Sequence, residues 1–67
     1  MLLQVNDSGA WRNAVRFKGS SERPIREAGL ILAEAGDLKA LRIIDDGIVI
    51  AYCERPEPDA PYEWTLP

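Results

Sequence analysis

The sequence contains no histidine and only one cysteine, Cys53. Without histidine, the chain has no Ser-His or Cys-His pair and lacks the commonest general base. A lone cysteine cannot form an internal disulfide, and a structural zinc would have to be completed by carboxylates. We therefore interpret Cys53 as a small buried hydrophobe. We expect a protein that is not an enzyme and has no catalytic residue, cofactor or metal site.

Long hydrophobic runs are also missing. The longest apolar stretches, such as IVIAYC, are far shorter than the roughly 20 residues that span a bilayer. The first residues, MLLQVNDSG, have no basic segment followed by an apolar run, as a secretory signal would. A solitary cysteine fits a reducing compartment. These features predict a cytoplasmic protein without membrane association, located in the host cytoplasm if a phage encodes it.

What remains is a short, acidic and unevenly charged chain. With 67 residues, 46% of them hydrophobic, it is one domain near the lower size limit for a self-sufficient core. Residues 1–33 carry five cations and three anions, whereas residues 34–67 carry three cations and eight anions. Such asymmetry is an argument about partners.

The first 18 residues predict a β-hairpin. Asp7-Ser8-Gly9 suits a three-residue loop, which would set Val5 opposite Trp11. A two-residue loop would instead set Asn6 opposite Trp11, which we consider the poorer pairing. Alternation along the second strand places its aromatic and cationic residues on opposite faces. The first face holds Trp11, Asn13, Val15 and Phe17, and the second holds Arg12, Ala14, Arg16 and Lys18.

A single helix is predicted over residues 22–35. Pro24 fits the first helical turn, and Gly36 fits the position just after the last one. Apolar residues in between recur at the spacing of one helical face. The stripe consists of Ile25, Ala28, Leu32 and Ala35, broadened by Ile31.

The strongest local signal is Asp46-Gly47 between two apolar alternations, which predicts a second hairpin. A two-residue loop sets Leu41 opposite Tyr52 and gives the hairpin two different faces. One face then carries Leu41, Ile43, Ile48, Ile50 and Tyr52, and is suited to covering the helix. The other carries Ala40, Ile44, Val49, Ala51 and Cys53, with Arg42 as its only charge.

That second face is more apolar than the wet side of an antiparallel sheet should be, so we expect something to cover it. One candidate is the chain's own end, where Tyr62, Trp64 and Leu66 alternate as in a short strand. The other candidate is a partner, including a homodimer through the Ala40–Ile44/Val49–Cys53 face.

The predicted fold is α+β, with the order β-β-α-β-β. It has an antiparallel sheet of four strands, or five with the tail, and one helix packed on one face. Residues 1–55 form a compact domain, and residues 56–67 form a proline-rich, acidic tail with aromatic residues that can fold back on the sheet.

Binding without catalysis is the function these features favour. We expect Tyr62, Trp64 and Arg42 to anchor a host protein or protein complex, since aromatic and arginine side chains carry much binding energy. Glu57 and Asp59 would form an acidic steering rim. A rival hypothesis is a nucleic-acid-binding regulator that uses Arg12, Arg16 and Lys18, although the negative net charge argues against nucleic acid as the partner. A self-associating structural subunit is a third hypothesis.

The layout of this chain resembles that of many small phage and mobile-element proteins, including some anti-CRISPR inhibitors. The resemblance covers a hairpin, one helix, the hairpin LRIIDDGIVIAYCE and an aromatic-bearing end, and it includes no diagnostic motif. It implies a protein that occupies a surface of a host complex, and it assigns no functional residues.

Overall fold

The computed structural model describes residues 1–67, and all five strands form one antiparallel sheet. The strands are β1 (Leu2–Asn6), β2 (Trp11–Arg16), β3 (Ala40–Asp45), β4 (Ile48–Glu54) and β5 (Glu63–Thr65). Their order across the sheet is β2-β1-β3-β4-β5, so β2 and β5 are the open edges. The single α-helix, α1 (Glu22–Gly36), follows a 3-10 turn at Gly19–Ser21 and packs on one face. The predicted α+β class is confirmed, with the tail supplying the fifth strand.

Helix α1 begins and ends one residue or less from the predicted bounds. Glu22 lies in its first turn and accepts hydrogen bonds from Arg26, one turn later. Asp37 ends the helix in the left-handed conformation, with φ of 47°, where glycine is the usual residue. Its backbone N–H donates to the carbonyls of Ala33 and Glu34. With 15 residues, α1 is not long or apolar enough to cross a membrane.

The first hairpin has the register that we considered the poorer one. Asn6 lies opposite Trp11, and residues 7–10 connect the strands. The turn is stabilised by a hydrogen bond from the Gly9 N–H to the Asn6 side chain, at 2.8 Å. An Asn side chain that satisfies its own turn favours this longer connection. The predicted pairing of Val5 with Trp11 is therefore wrong.

A β-bulge in β2 then reverses the predicted faces. The register shifts between Leu3 and Gln4, so that Leu3 pairs with Val15 whereas Gln4 pairs with Asn13. Ala14 is the extra residue, and an extra residue turns the following side chains to the other face. Trp11 and Asn13 consequently lie on the sheet face opposite α1, whereas Val15 lies on the α1 side.

The second hairpin also contains a bulge, which changes its predicted register. Asp46-Gly47 forms the expected turn, with positive φ at both residues. Beyond it the register shifts between Ile43 and Ile44, which sets Leu41 opposite Cys53 rather than Tyr52. The predicted membership of the two faces is therefore wrong for three residues: Tyr52, Ala51 and Cys53.

The core lies between α1 and the middle of the sheet. Leu41, Ile43, Ala51 and Cys53 are fully buried there, together with Ala33 of the helix. Because Ala51 and Cys53 face α1, the surface predicted to mediate a homodimer does not exist as one face. Ala40, Arg42, Ile44 and Val49 remain on the opposite side.

The helix turns an unexpected side to this core. Its buried residues are Gly29 and Ala33, flanked by the half-buried Leu30. Gly29 lets the helix approach closely, because a Cβ there would lie 3.0 Å from Cζ2 of Trp64 and 3.5 Å from Cδ2 of Leu41. The apolar stripe seen in the sequence is rotated away from the sheet, and Leu32 within it is 46% exposed.

Candidate functional site

The aromatic residues of the tail are engaged within the chain. Trp64 pairs with Cys53 on the α1 side of the sheet, and its indole N–H donates to the Arg26 carbonyl at 2.8 Å. Tyr62 is buried, and its hydroxyl donates to the Leu38 carbonyl at 2.5 Å. The tail therefore extends the sheet as an edge strand, instead of covering the face opposite α1.

Arg55 ties this tail to the end of the helix. Its guanidinium donates to the Tyr62 hydroxyl at 2.8 Å and to the Pro58 carbonyl at 2.7 Å, and it pairs with the Asp37 carboxylate. It also lies 4.5 Å from the centre of the Tyr62 ring. The hydrogen bond with Tyr62 is the main reason that the pKa of Arg55 is raised above its ordinary value. Glu57 and Asp59 lie exposed on the loop between β4 and β5.

The five residues predicted to bind a partner are thus not brought together. Trp64 contacts the helix, and Tyr62 donates to Leu38 just beyond the helix end. Glu57 and Asp59 lie on a loop, and Arg42 lies on the opposite face of the sheet. The three cations of the nucleic-acid hypothesis are also divided. Arg12 pairs with Val5 on the α1 side, and Arg16 pairs with Leu2 on the other side. The bulge at Ala14, which the alternation of the sequence did not reveal, causes this division.

Two surfaces remain that neither the helix nor the tail covers. The first is the outer face, which we define as the sheet face opposite α1. Its residues follow from the strand registers and come from every strand. They include Leu2, Gln4, Trp11, Asn13, Arg16, Arg42, Ile44, Val49, Tyr52 and Thr65.

A cluster of aromatic and polar side chains occupies the centre of the outer face. The Arg42 guanidinium lies 4.1 Å from the centre of the Trp11 ring, and the Trp11 and Tyr52 ring centres are 6.4 Å apart. Arg42 Nε donates to Gln4 at 2.7 Å, and Gln4 in turn donates to Asn13 at 2.9 Å. Each of these contacts crosses from one strand to another, so the side chains hold one another in place on the sheet.

The second surface is the apolar groove, which lies between α1 and the β1–β2 end of the sheet. It has a volume of about 550 Å³, and eight of its nine lining residues are hydrophobic. Val15, on the strand side, is 41% exposed, and Ile31, on the helix side, is 72% exposed. The lining residues are Leu3, Ala14, Val15, Ile25, Ala28, Gly29, Ile31, Leu32 and Ala35.

The remaining chemistry of the chain is simple. No group of three or more Cys, Asp or Glu side chains is arranged to hold a metal ion. Every buried side-chain nitrogen and oxygen has a hydrogen-bond partner. Burial raises the pKa of the Cys53 thiol to about 11, with a smaller contribution from the neighbouring Glu54 carboxylate. A thiol with that pKa is protonated at neutral pH, which makes it a poor nucleophile.

Comparison of the chain with protein-family models, with curated proteins and with solved structures finds no match.

Proposed function

We propose that this protein is a small binding module that docks another protein on its outer face. The observation that carries the proposal is the cluster of Trp11, Arg42 and Tyr52 on a sheet face that no part of the chain covers. Tryptophan, tyrosine and arginine are the side chains that most often dominate binding energy at interfaces. Here they are half-buried and fixed by contacts across strands, so docking immobilises few free side chains.

The outer face favours a different protein over a second copy of this chain. Arg42 lies on the central strand β3. Twofold pairing about the middle of this face would bring two Arg42 side chains together, which costs energy when they are desolvated. A partner that presents a carboxylate opposite Arg42, surrounded by apolar side chains, is the better complement.

The protein would act in the cytoplasm, either as an inhibitor of a larger complex or as an adaptor that docks on it. The support for this role is the layout shared with small phage and mobile-element inhibitors, such as some anti-CRISPR proteins. Compared with the sequence-based hypothesis, the anchors move from Tyr62 and Trp64 to Trp11 and Tyr52, and Arg42 is kept. Glu57 and Asp59 are both exposed, and their role as steering charges stays a prediction.

The test is affinity capture from a lysate of the organism that encodes the chain or of its host. Captured proteins are identified by mass spectrometry, and the affinity of each is then measured with purified components. Arg42→Ala and Tyr52→Ala should each lower the affinity for the specific partner by about thirtyfold, the effect expected at an interface hot spot. Arg23→Ala is the matched control for Arg42→Ala, because Arg23 is highly exposed on α1, away from the outer face.

The proposal fails if the captured partner binds both outer-face variants as tightly as the unaltered protein. A different result would instead support the nucleic-acid-binding regulator. In that case the partner is a nucleic acid, its affinity falls as the salt concentration rises, and Arg12→Glu/Arg16→Glu abolishes binding.

A further inference from the structure

The apolar stripe of α1 has the spacing of a helix–helix seam. Ile25, Ala28, Leu32 and Ala35 are separated by three, four and three residues, the a/d pattern of helices that pack side by side. In the structure only Ile25 of this stripe packs against the core, whereas Ala28, Leu32 and Ala35 are exposed, since the helix buries Gly29 and Ala33 against the sheet. The stripe borders the apolar groove and is partly exposed to solvent.

The sheet is wider than the single helix that covers it. Neighbouring strands lie roughly 4.8 Å apart, so five strands are about 20–24 Å wide. A helix with its side chains is about 10 Å across, and α1 lies over β3 and β4, with Trp64 of β5 beside it. The α1 side of β2, which carries the exposed Arg12 and Val15, is therefore open beside α1, whereas Leu3 of β1 is already buried under the chain's own helix. This chain contains one helix, so a second helix with a matching seam is available from a second copy.

We propose that the apolar groove is filled by α1 of a second copy, which forms a twofold symmetric dimer. The two helices lie side by side between the two sheets. Each helix packs its Gly29–Ala33 side on its own sheet and its Ile31 side on β2 of the partner. The contact is reciprocal, so one symmetry operation fills both grooves.

The charges at the rim of the groove agree with this arrangement. Arg12 is exposed on the α1 side of β2, at the strand rim. Glu27 is exposed on α1, one turn before Ile31 and outside the groove itself, where it forms an ion pair with Arg23 of the same helix. When a partner helix lies over β2, its Glu27 comes to the side that carries Arg12. Pairing of β2 with the partner's β2 would instead place the arginines of two edge strands beside each other.

The thin core gives a further reason to expect a dimer. Only nine of the 67 residues are buried, and small domains commonly need a partner to reach ordinary stability. The proposed dimer leaves both outer faces on its outside. It is therefore independent of the proposed binding function, and each can fail without the other.

The test is the mass of the purified protein in solution, measured by sedimentation over a range from nanomolar to high micromolar concentration. The mass should rise with concentration from the 7.5 kDa of one chain to twice that value. Ile31→Asp should weaken the dimer by about a hundredfold or more, because two charges would enter the apolar groove. Leu32→Asp should act in the same direction.

Ile48→Asp is the matched control, because Ile48 is 66% exposed but lies outside the groove. It should leave the dimer intact. Circular dichroism of each variant at low concentration verifies that the monomer remains folded, which we expect because Ile31 is exposed in the single chain. A protein that stays monomeric at every concentration, or a dimer that Ile31→Asp does not weaken, overturns the proposal.

Hydrogen exchange distinguishes the helix-in-groove dimer from pairing of the sheet edges. In the proposed dimer the free backbone amides of β2 stay unpaired, so their exchange should be the same in monomer and dimer. Protection of these amides at high concentration would show that the strands pair, and would overturn the proposed arrangement.

Discussion

The ring of Trp64 packs directly on the backbone of Gly29, in the middle of α1. A Cβ at position 29 would lie 3.0 Å from Cζ2 of the tryptophan, closer than van der Waals contact allows. Trp64 is also held by a hydrogen bond to the Arg26 carbonyl of the same helix and by the pairing of β5 with β4. Together these contacts join the C-terminal tail to the helix, and the absence of a side chain at Gly29 allows α1 to lie close to the sheet.

The first prediction concerns this contact. In an ordinary helix, Gly→Ala stabilises by about 1 kcal/mol. Gly29→Ala should instead destabilise the protein by about 1 kcal/mol, because the ring of Trp64 cannot move away without losing its own contacts. In a Trp64→Ala background the same substitution should become stabilising. Urea denaturation of the four proteins measures the coupling, and additive effects would contradict the packing described here.

The second prediction concerns the buried hydroxyl of Tyr62. It donates to the Leu38 carbonyl and accepts from Arg55. Tyr62→Phe removes both hydrogen bonds and leaves a carbonyl without its partner, so it should lower the free energy of unfolding by about 1–3 kcal/mol. Tyr52→Phe is the control. Tyr52 is half-buried on the outer face, and its loss of a hydroxyl should change the stability by less than about 0.5 kcal/mol. Equal effects of the two substitutions would argue against a specific role for the Tyr62 hydroxyl.

The third prediction tests the Asp46-Gly47 turn. Gly47 has a φ of 78°, which an alanine adopts only with strain. Gly47→Ala should therefore destabilise the protein by about 1 kcal/mol or more, measured by thermal denaturation. Gly19 does not have a positive φ, and a Cβ there would meet only the end of Met1 at 3.7 Å. Gly19→Ala should be close to neutral, and a cost as large as that at Gly47 would contradict the assigned turn.

Local signals in the sequence predicted the elements of this fold well. The Asp46-Gly47 turn, the helix that starts at Glu22 and the α+β class all depend on residues close together in the chain. Pro24 and the acidic first turn locate the helix start without reference to any other element. Such signals are readable because their physical cause is local.

The faces of the strands were predicted less well, because two single-residue bulges reverse them. One extra residue at Ala14 separates Arg12 from Arg16, and a register shift after Ile43 moves Tyr52 to the outer face. Nothing in the local alternation shows a bulge. Leu3 and Leu41 share one core cluster under the helix although they are far apart in the sequence, and local alternation carries no information about such contacts.

The helix shows the same limit in a different form. Its most hydrophobic stripe includes Ile31 and Leu32, yet the sheet receives Gly29 and Ala33. Gly29 allows the helix backbone to lie close to the ring of Trp64. The periodicity of hydrophobic residues gives no information about the distance between a helix and its neighbours. The candidate surfaces follow from these two deviations: the bulges create the cluster on the outer face, and the rotated helix leaves the apolar groove open.

The last prediction is a pH dependence caused by Cys53. Burial raises the pKa of its thiol from an ordinary value of 9.0 to about 11 in the folded state. A raised pKa means that the folded state holds its proton more tightly, so the contribution to stability is complete below pH 9. It is lost as the pH rises from about 9 to about 11, because the unfolded chain ionises first. The corresponding loss of stability is at most about 2–3 kcal/mol.

Cys53→Val provides the control for this prediction, because valine has a similar volume and does not titrate. Tyrosine and lysine side chains also titrate in this range, so the quantity to compare is the difference between the two proteins. The free energy of unfolding of the natural protein should fall more steeply with pH than that of Cys53→Val between pH 9 and 11. Parallel curves would show that the thiol is not desolvated in the folded state. Such a result would contradict the burial of Cys53 beneath α1.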